Sequence, residues 1–117
     1  MELRSKRVYL PADADDGNRV LVDRLWPRGL SKEKLGDVAW VRDVAPSDAL
    51  RKWFGHDPAR WDEFRDRYRA ELDRNPDAVA QALDWCRKGP VTLIYGAKDT
   101  EHTHALVLRD YLEEKLG

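Results

Sequence analysis

The sequence predicts an α/β fold: a small mixed three-stranded sheet, built from an N-terminal hairpin plus a central strand at 91–97, packed with about four to five helices. Three observations carry this expectation. Residues 4–10 and 19–25 place β-branched or aromatic side chains at alternating positions, the period of a strand. Val91–Ala97 (VTLIYGA) is a nearly continuous apolar run, as in a strand covered on both faces. The remaining apolar residues recur at helical spacing, in stretches opened and closed by capping residues. At 117 residues the chain has the length of one domain, 1–117, and no repeat, low-complexity tract or linker divides it.

The first two strands are joined by Pro11–Asn18 (PADADDGN), a cluster of turn formers for which an antiparallel hairpin is the simplest pairing. Ser47 can accept the free N–H groups of a helix that presents Leu50, Trp53 and Phe54 on one face and ends at Gly55. Asp57 and Pro58 start a second helix with the stripe Trp61, Phe64, Tyr68 and Leu72; Asn75 and Pro76 repeat that start for a third, with Val79, Ala82, Leu83 and Cys86 inward and Gly89–Pro90 as the stop. A last helix over about 100–116 turns Ala105, Leu108, Leu112 and Leu116 to the core. These helices supply the long crossover that sets the second strand parallel to the last. The five tryptophans are read as core before they are read as binding residues.

Charge excludes some functions. With 21 basic against 22 acidic residues the overall field gives no reason to expect binding to nucleic acid or a membrane surface, leaving only a local basic patch for the former. Arg60, Arg65, Arg67, Arg69 and Arg74 are interleaved with Asp62, Glu63, Asp66, Glu71 and Asp73, so pairs such as Glu63 with Arg67 make a solvated, mutually neutralised face. The single cysteine, Cys86, excludes an internal disulfide, fits a reducing compartment and lies on an apolar stripe, which argues against a thiolate nucleophile. The opening MELRSKRVYL has charges where a signal peptide needs its apolar region, and no run is long enough to span a bilayer, so a cytoplasmic location is expected. There is no Gly-rich phosphate loop, and no cofactor is expected.

In open α/β sheets ligands bind outside the carboxyl ends of the strands. The second strand delivers Asp23, Arg24, Trp26, Pro27, Arg28 and Gly29 there; the last delivers Gly96, Lys98 and Asp99, then Glu101, His102 and His104 in the first turn of the final helix. If the two strands are parallel neighbours, Arg24, Arg28 and Lys98 converge near a helix N-terminus, a setting for a phosphate or carboxylate. The alternative is that Arg24 pairs with Asp23 or another carboxylate and fastens the loop. His104 and Asp23 are the candidates for handling protons. His102 and His104, two apart on a helix, would not share a face and have no Cys or third His nearby, so no metal is expected. His56 reads either as an entry staple on Trp61 or, with Trp26, Asp99, Glu101 and His102, as a reserve site residue. A second functional reading is a non-enzymatic interaction or regulatory module that binds protein or nucleic acid through exposed aromatics near Trp53 and His56.

Three stretches, VLVDRLWPRGLSKE at 20–33, APSDALRKWFGHDPARWDEFRDRYRAEL at 45–72 and AKDTEHTHALVL at 97–108, together resemble the YeaO-like family, domain of unknown function 488. The resemblance covers nearly the whole chain. Asp23, Arg24, Trp26, Pro27, Arg28, Gly29, Trp53, His56, Asp57, Trp61, Lys98, Asp99, Glu101, His102 and His104 stand at positions that look like the family's motif. Thr103 and Leu10 depart from it, where Asn and Asp are more usual. The resemblance implies a relative but no established catalytic residues.

Overall fold

In the computed structural model, which describes residues 2–117, the runs expected as strands at 4–10, 19–25 and 91–97 pair in parallel over the shorter segments 4–7, 19–21 and 91–95. Among the described residues the sheet has four strands, β1 (Leu3–Arg7), β2 (Asn18–Leu21), β3 (Ala39–Trp40) and β4 (Val91–Tyr95), in the order β1-β4-β2-β3. Leu3 and Asn18 both lie opposite Val91, and Val20 lies between Leu93 and Ala39. β4 is buried along its whole length and is an interior strand, as its apolar run predicts.

Three expectations need correction. β1 and β2 do not form a hairpin: each pairs with β4, and the sheet is parallel rather than mixed. A hairpin would leave one side of β4's backbone without ladder partners in a buried position, whereas insertion between β1 and β2 satisfies both sides. A fourth strand, β3, was not expected, because two residues are too few to display a period.

The chain therefore returns from the end of β1 to the start of β2 across one face of the sheet. Asp16, at the end of a 3-10 turn over Ala14–Asp16, anchors this return. Its carboxylate lies 3.2 Å from Lys6 Nζ and 3.6 Å from Arg19 Nε and accepts from the Asp13 N–H at 3.0 Å; its carbonyl accepts from Thr92 Oγ1 at 2.7 Å. The same face carries a small core of Val8, Leu21, Leu35 and Ile94 under Trp26, Leu30 and Val38, with Leu35 from a single-turn helix α1 (Lys32–Leu35).

The other face carries the larger core. Leu3, Val20, Val91 and Leu93 meet four helices, α2 (Asp48–Phe54), α3 (Trp61–Asp73), α4 (Pro76–Arg87) and α5 (His104–Leu116). Most of each expected stripe is buried, namely Leu50 and Phe54, Phe64, Tyr68 and Leu72, Val79, Ala82 and Cys86, and Ala105, Leu108 and Leu112, whereas Trp53, Trp61, Leu83 and Leu116 are only partly buried against the core. Ser47 accepts from the Leu50 N–H and Gly55 closes α2 in the left-handed conformation. Asn75, expected to cap α4, instead donates from Nδ2 to the Asp43 carbonyl. None of the five tryptophans is in the core: Trp26, Trp53, Trp61 and Trp85 are partly buried against it and Trp40 is exposed; Trp53 lies under the guanidinium groups of Arg60 and Arg67, 5.3 and 4.4 Å from the ring centre. Glu63 pairs with Arg67 on the solvated face of α3. No described helix is long and apolar enough to cross a membrane.

Candidate functional site

Adjacent strands β2 and β4 send their chains to opposite faces. The segment after β2 packs Trp26 and Leu30 on the small core, whereas α5, after β4, packs on the large one. Where neighbouring connections part, a crevice opens at the carboxyl ends of the strands. Here it is a cavity of about 400 Å³. The exit of β2 contributes Asp23, Arg24, Leu25 and Arg28 to its wall, and the exit of β4 contributes Gly96, Ala97, His102, Thr103 and His104. Ala45, Pro46, Arg51, Phe54, His56 and Phe64 close it from the helical side.

The floor is built by a carboxylate that stands in for backbone. The β2–β4 ladder ends with Val22 N–H donating to Ile94 O at 3.1 Å; one step further Asp23 Oδ2 accepts the Gly96 N–H at 2.8 Å. A side chain on Gly96 would place its Cβ 3.0 Å from that oxygen, so the glycine makes room for the carboxylate. His104 Nε2 donates to Val22 O at 3.0 Å and lies 3.4 Å from Asp23 Oδ1, a buried oxygen with no hydrogen-bond partner among the described residues. A carbonyl only accepts, so the proton of a neutral His104 ring is on Nε2. Burial pushes the His104 imidazolium below its ordinary pKa of 6.5, against the opposing pull of the Asp23 carboxylate and the Val22 carbonyl. Nitrogen-detected NMR of the His104 ring is expected to show the Nε2–H tautomer at pH 7 and titration below pH 6.5; a ring charged at pH 7 would contradict this arrangement.

Arg24 is fastened to carbonyls and not to a carboxylate: Nε donates to Pro46 O at 3.4 Å and an Nη to Ala45 O at 3.3 Å. That loop is itself held by Tyr68, whose fully buried hydroxyl donates to Val44 O at 2.6 Å. Arg28 is exposed at the cleft, and its carbonyl accepts from Tyr9 at 3.0 Å. Trp26 lies behind the cleft wall, donating to Leu30 O at 2.6 Å and packing edge-on against Trp40, which donates to Asp23 O at 2.7 Å. Lys98 is exposed and is not among the residues that line the cleft.

α5 starts at His104, later than expected, because Thr103 is its N-cap and the Asp99 carboxylate takes the Glu101 and His102 N–H groups into a separate turn. Those bonds and the His102 ring hold the Asp99 carboxyl below its ordinary range. Glu101 is exposed. His102, lying off the helix, does reach the same cleft as His104; its Nδ1 is 2.9 Å from Asp99 Oδ2 and its ring meets Trp61 edge-on. His56 is no staple on Trp61: a φ of 56° turns it into the cleft against Phe54, 6.1 Å between ring centres. Such a conformation costs a non-glycine residue about 1 kcal/mol or more. Arg51, Leu25 and Thr103 were missed as site residues. Arg51 is one of three charges on a short amphipathic helix, and only the packing of α2 beside the crevice brings it in. No group of three or more His, Cys, Asp or Glu among the described residues is placed to hold a metal ion. Burial pushes the Cys86 thiol up.

Fold and site together define a small parallel α/β protein with an arginine-lined cleft at a topological switch point. The chain belongs to the DUF488 family: the family model described as the inactive DUF488-N3 subclade matches residues 2–117. It is 45% identical over 112 residues to the uncharacterized protein YeaO of Escherichia coli (strain K12), covering 96% of this chain and 97% of that one. It is 42% identical over 110 residues to the uncharacterized proteins Rv3073c of Mycobacterium tuberculosis (strain H37Rv) and Mb3100c of Mycobacterium bovis, covering 94% of this chain and 92% of each relative. No solved structure matches the chain.

Proposed function

We propose that the protein binds a small anionic molecule, through a phosphate or carboxylate group, in the cleft at the ends of β2 and β4. The observation that carries this is the charge of the wall: Arg24, Arg28 and Arg51, the last also paired with Asp48 at 3.1 Å, line it, and Asp23, with Oδ2 engaged by Gly96 N–H, is the one carboxylate among the described lining residues. Guanidinium forks bind such groups in a bidentate way, and the amino end of α5 adds its dipole in the same sense. The reading rests on the three arginines and not on Lys98. The description of the subclade as inactive supports binding without turnover, with Asp23 and His104 as the polar wall of the cleft and not as catalysts. The balanced overall charge supports a small anion over nucleic acid, and the lone buried cysteine supports a cytoplasmic setting.

A thermal-shift series with inorganic phosphate and small carboxylates tests this. A ligand that prefers the native state at a hundred times its Kd adds about 2.7 kcal/mol, a rise in Tm of roughly 10 °C for a chain of this size. Arg24→Ala with Arg28→Ala is expected to abolish the rise, Arg51→Ala to diminish it and Lys98→Ala to leave it intact, each compared with its own unliganded Tm. A rise that survives the double change puts the anion elsewhere.

A further inference from the structure

We infer that the anion carries an apolar body, an aryl phosphate or aryl carboxylate, and that this body seats on Leu25, Phe54 and Phe64; the inference rests on the anion reading above. Leu25 is the first observation. It is 60% exposed on the cleft wall, whereas Leu21 and Val22 just before it are fully buried and Pro27 just after it is buried. Folding leaves this large side chain in water. A ligand that covered it would recover the hydrophobic free energy that the fold does not.

Size is the second. A cavity of about 400 Å³ lies in the range that holds organic ligands of tens of atoms, roughly 300–1,000 Å³. Inorganic phosphate has five heavy atoms and would leave most of the space to water. The distribution of chemistry is the third. Beside the three arginines, the helical side of the cleft is backed by Phe54 and Phe64, 4% and 2% exposed and stacked with 4.3 Å between ring centres, and by the His56 ring 6.1 Å from Phe54. A stacked aromatic pair behind the cleft wall favours a flat aromatic partner over a flexible chain. The wall thus offers cations and rings side by side, which is complementary to a ligand with an anionic head and an aryl body.

The experiment is a calorimetric titration of the full chain with inorganic phosphate, phenyl phosphate and phenol, for the natural sequence and for Leu25→Ser and Leu25→Met. Leu25 is exposed enough for both variants to fold, which their Tm values check. Phenyl phosphate is expected to bind at least about tenfold more tightly than inorganic phosphate, and phenol to bind far more weakly than phenyl phosphate. Leu25→Ser is expected to weaken phenyl phosphate roughly three- to tenfold while leaving inorganic phosphate unchanged, and Leu25→Met to restore the natural affinity. Equal affinities for phosphate and phenyl phosphate would overturn the apolar body and leave the anion site standing. Phenyl phosphate binding that ignores Leu25→Ser would overturn the seat. Phenol binding as well as phenyl phosphate would overturn the anionic head, and silence from all three would overturn the anion reading and this inference together.

Discussion

Asp16→Ala is expected to remove about 3–5 kcal/mol of stability, the cost of breaking a buried ion pair from one side. Asp16 is 5% exposed, and its carboxylate is shared between Lys6 and Arg19, whose side chains are 20% and 10% exposed. Without it two partly buried cations remain against the sheet, and the Arg19 Nε, which already lacks a hydrogen-bond partner among the described residues, loses its counter-charge. Against a typical total of about 5–15 kcal/mol, that loss leaves a marginal fold. Urea denaturation is the measurement: a lower midpoint with an unchanged slope reports lost stability and not an altered denatured state. A midpoint within error of the natural protein would mean that the return loop contributes nothing.

The same group predicts an acid dependence. Burial pushes the Asp16 carboxyl up, but the Asp13 N–H, Lys6 and Arg19 outweigh burial and hold it below its ordinary 3.8. The unfolded chain therefore takes up this proton first. The contribution is present above pH 3.8 and is lost as pH falls through the folded-state value. Asp16→Asn should flatten that part of the stability curve.

Gly17→Ala, one residue on, is expected to cost about 3 kcal/mol or more for a different reason. Gly17 has φ 65° and ψ −137°, and a Cβ there would lie 2.4 Å from the Pro90 carbonyl oxygen. That oxygen is backbone and accepts the Asn18 N–H at 2.9 Å, so it cannot step aside without opening the start of the β2–β4 ladder. Hydrogen exchange should then rise at Asn18 and Val91 before it rises in α3. Gly29→Ala is the control: its φ is 77°, but nothing lies within 4 Å of the added carbon, so strain alone remains, about 1 kcal/mol. Equal losses at the two glycines would refute the contact with Pro90.

The parts of this fold that were legible in the sequence are those governed by local chemistry. Ser47, Gly55 and the stripe of Phe64, Tyr68 and Leu72 act within a turn or two of their own position, so their spacing carries the information. β4 was legible because burial on both faces removes polar residues from a strand. Strand order was not, since residues 4–10 and 19–25 look the same beside one another as on either side of β4; the choice depends on a partner more than seventy residues away. Asn75 looked like a cap because its type and its place before a proline fit, and it is used otherwise because the Asp43 carbonyl comes within reach. In the cleft, Asp23, Arg24, Arg28 and His104 were legible as residues that follow strands. Arg51 was not, because nothing near it in the chain distinguishes it from the other charges of its helix.

The position of β4 also bears on how the molecule comes into being. During synthesis β1 and β2 emerge early, yet β1 has no strand to pair with and β2 has only the two residues of β3, since the strand that separates them is the last of the four to leave the ribosome. Closing the sheet requires contacts between distant parts of the chain, which makes folding slow relative to helix formation. The ladder, with the cleft at its end, is complete only once residues 91–95 lie between β1 and β2.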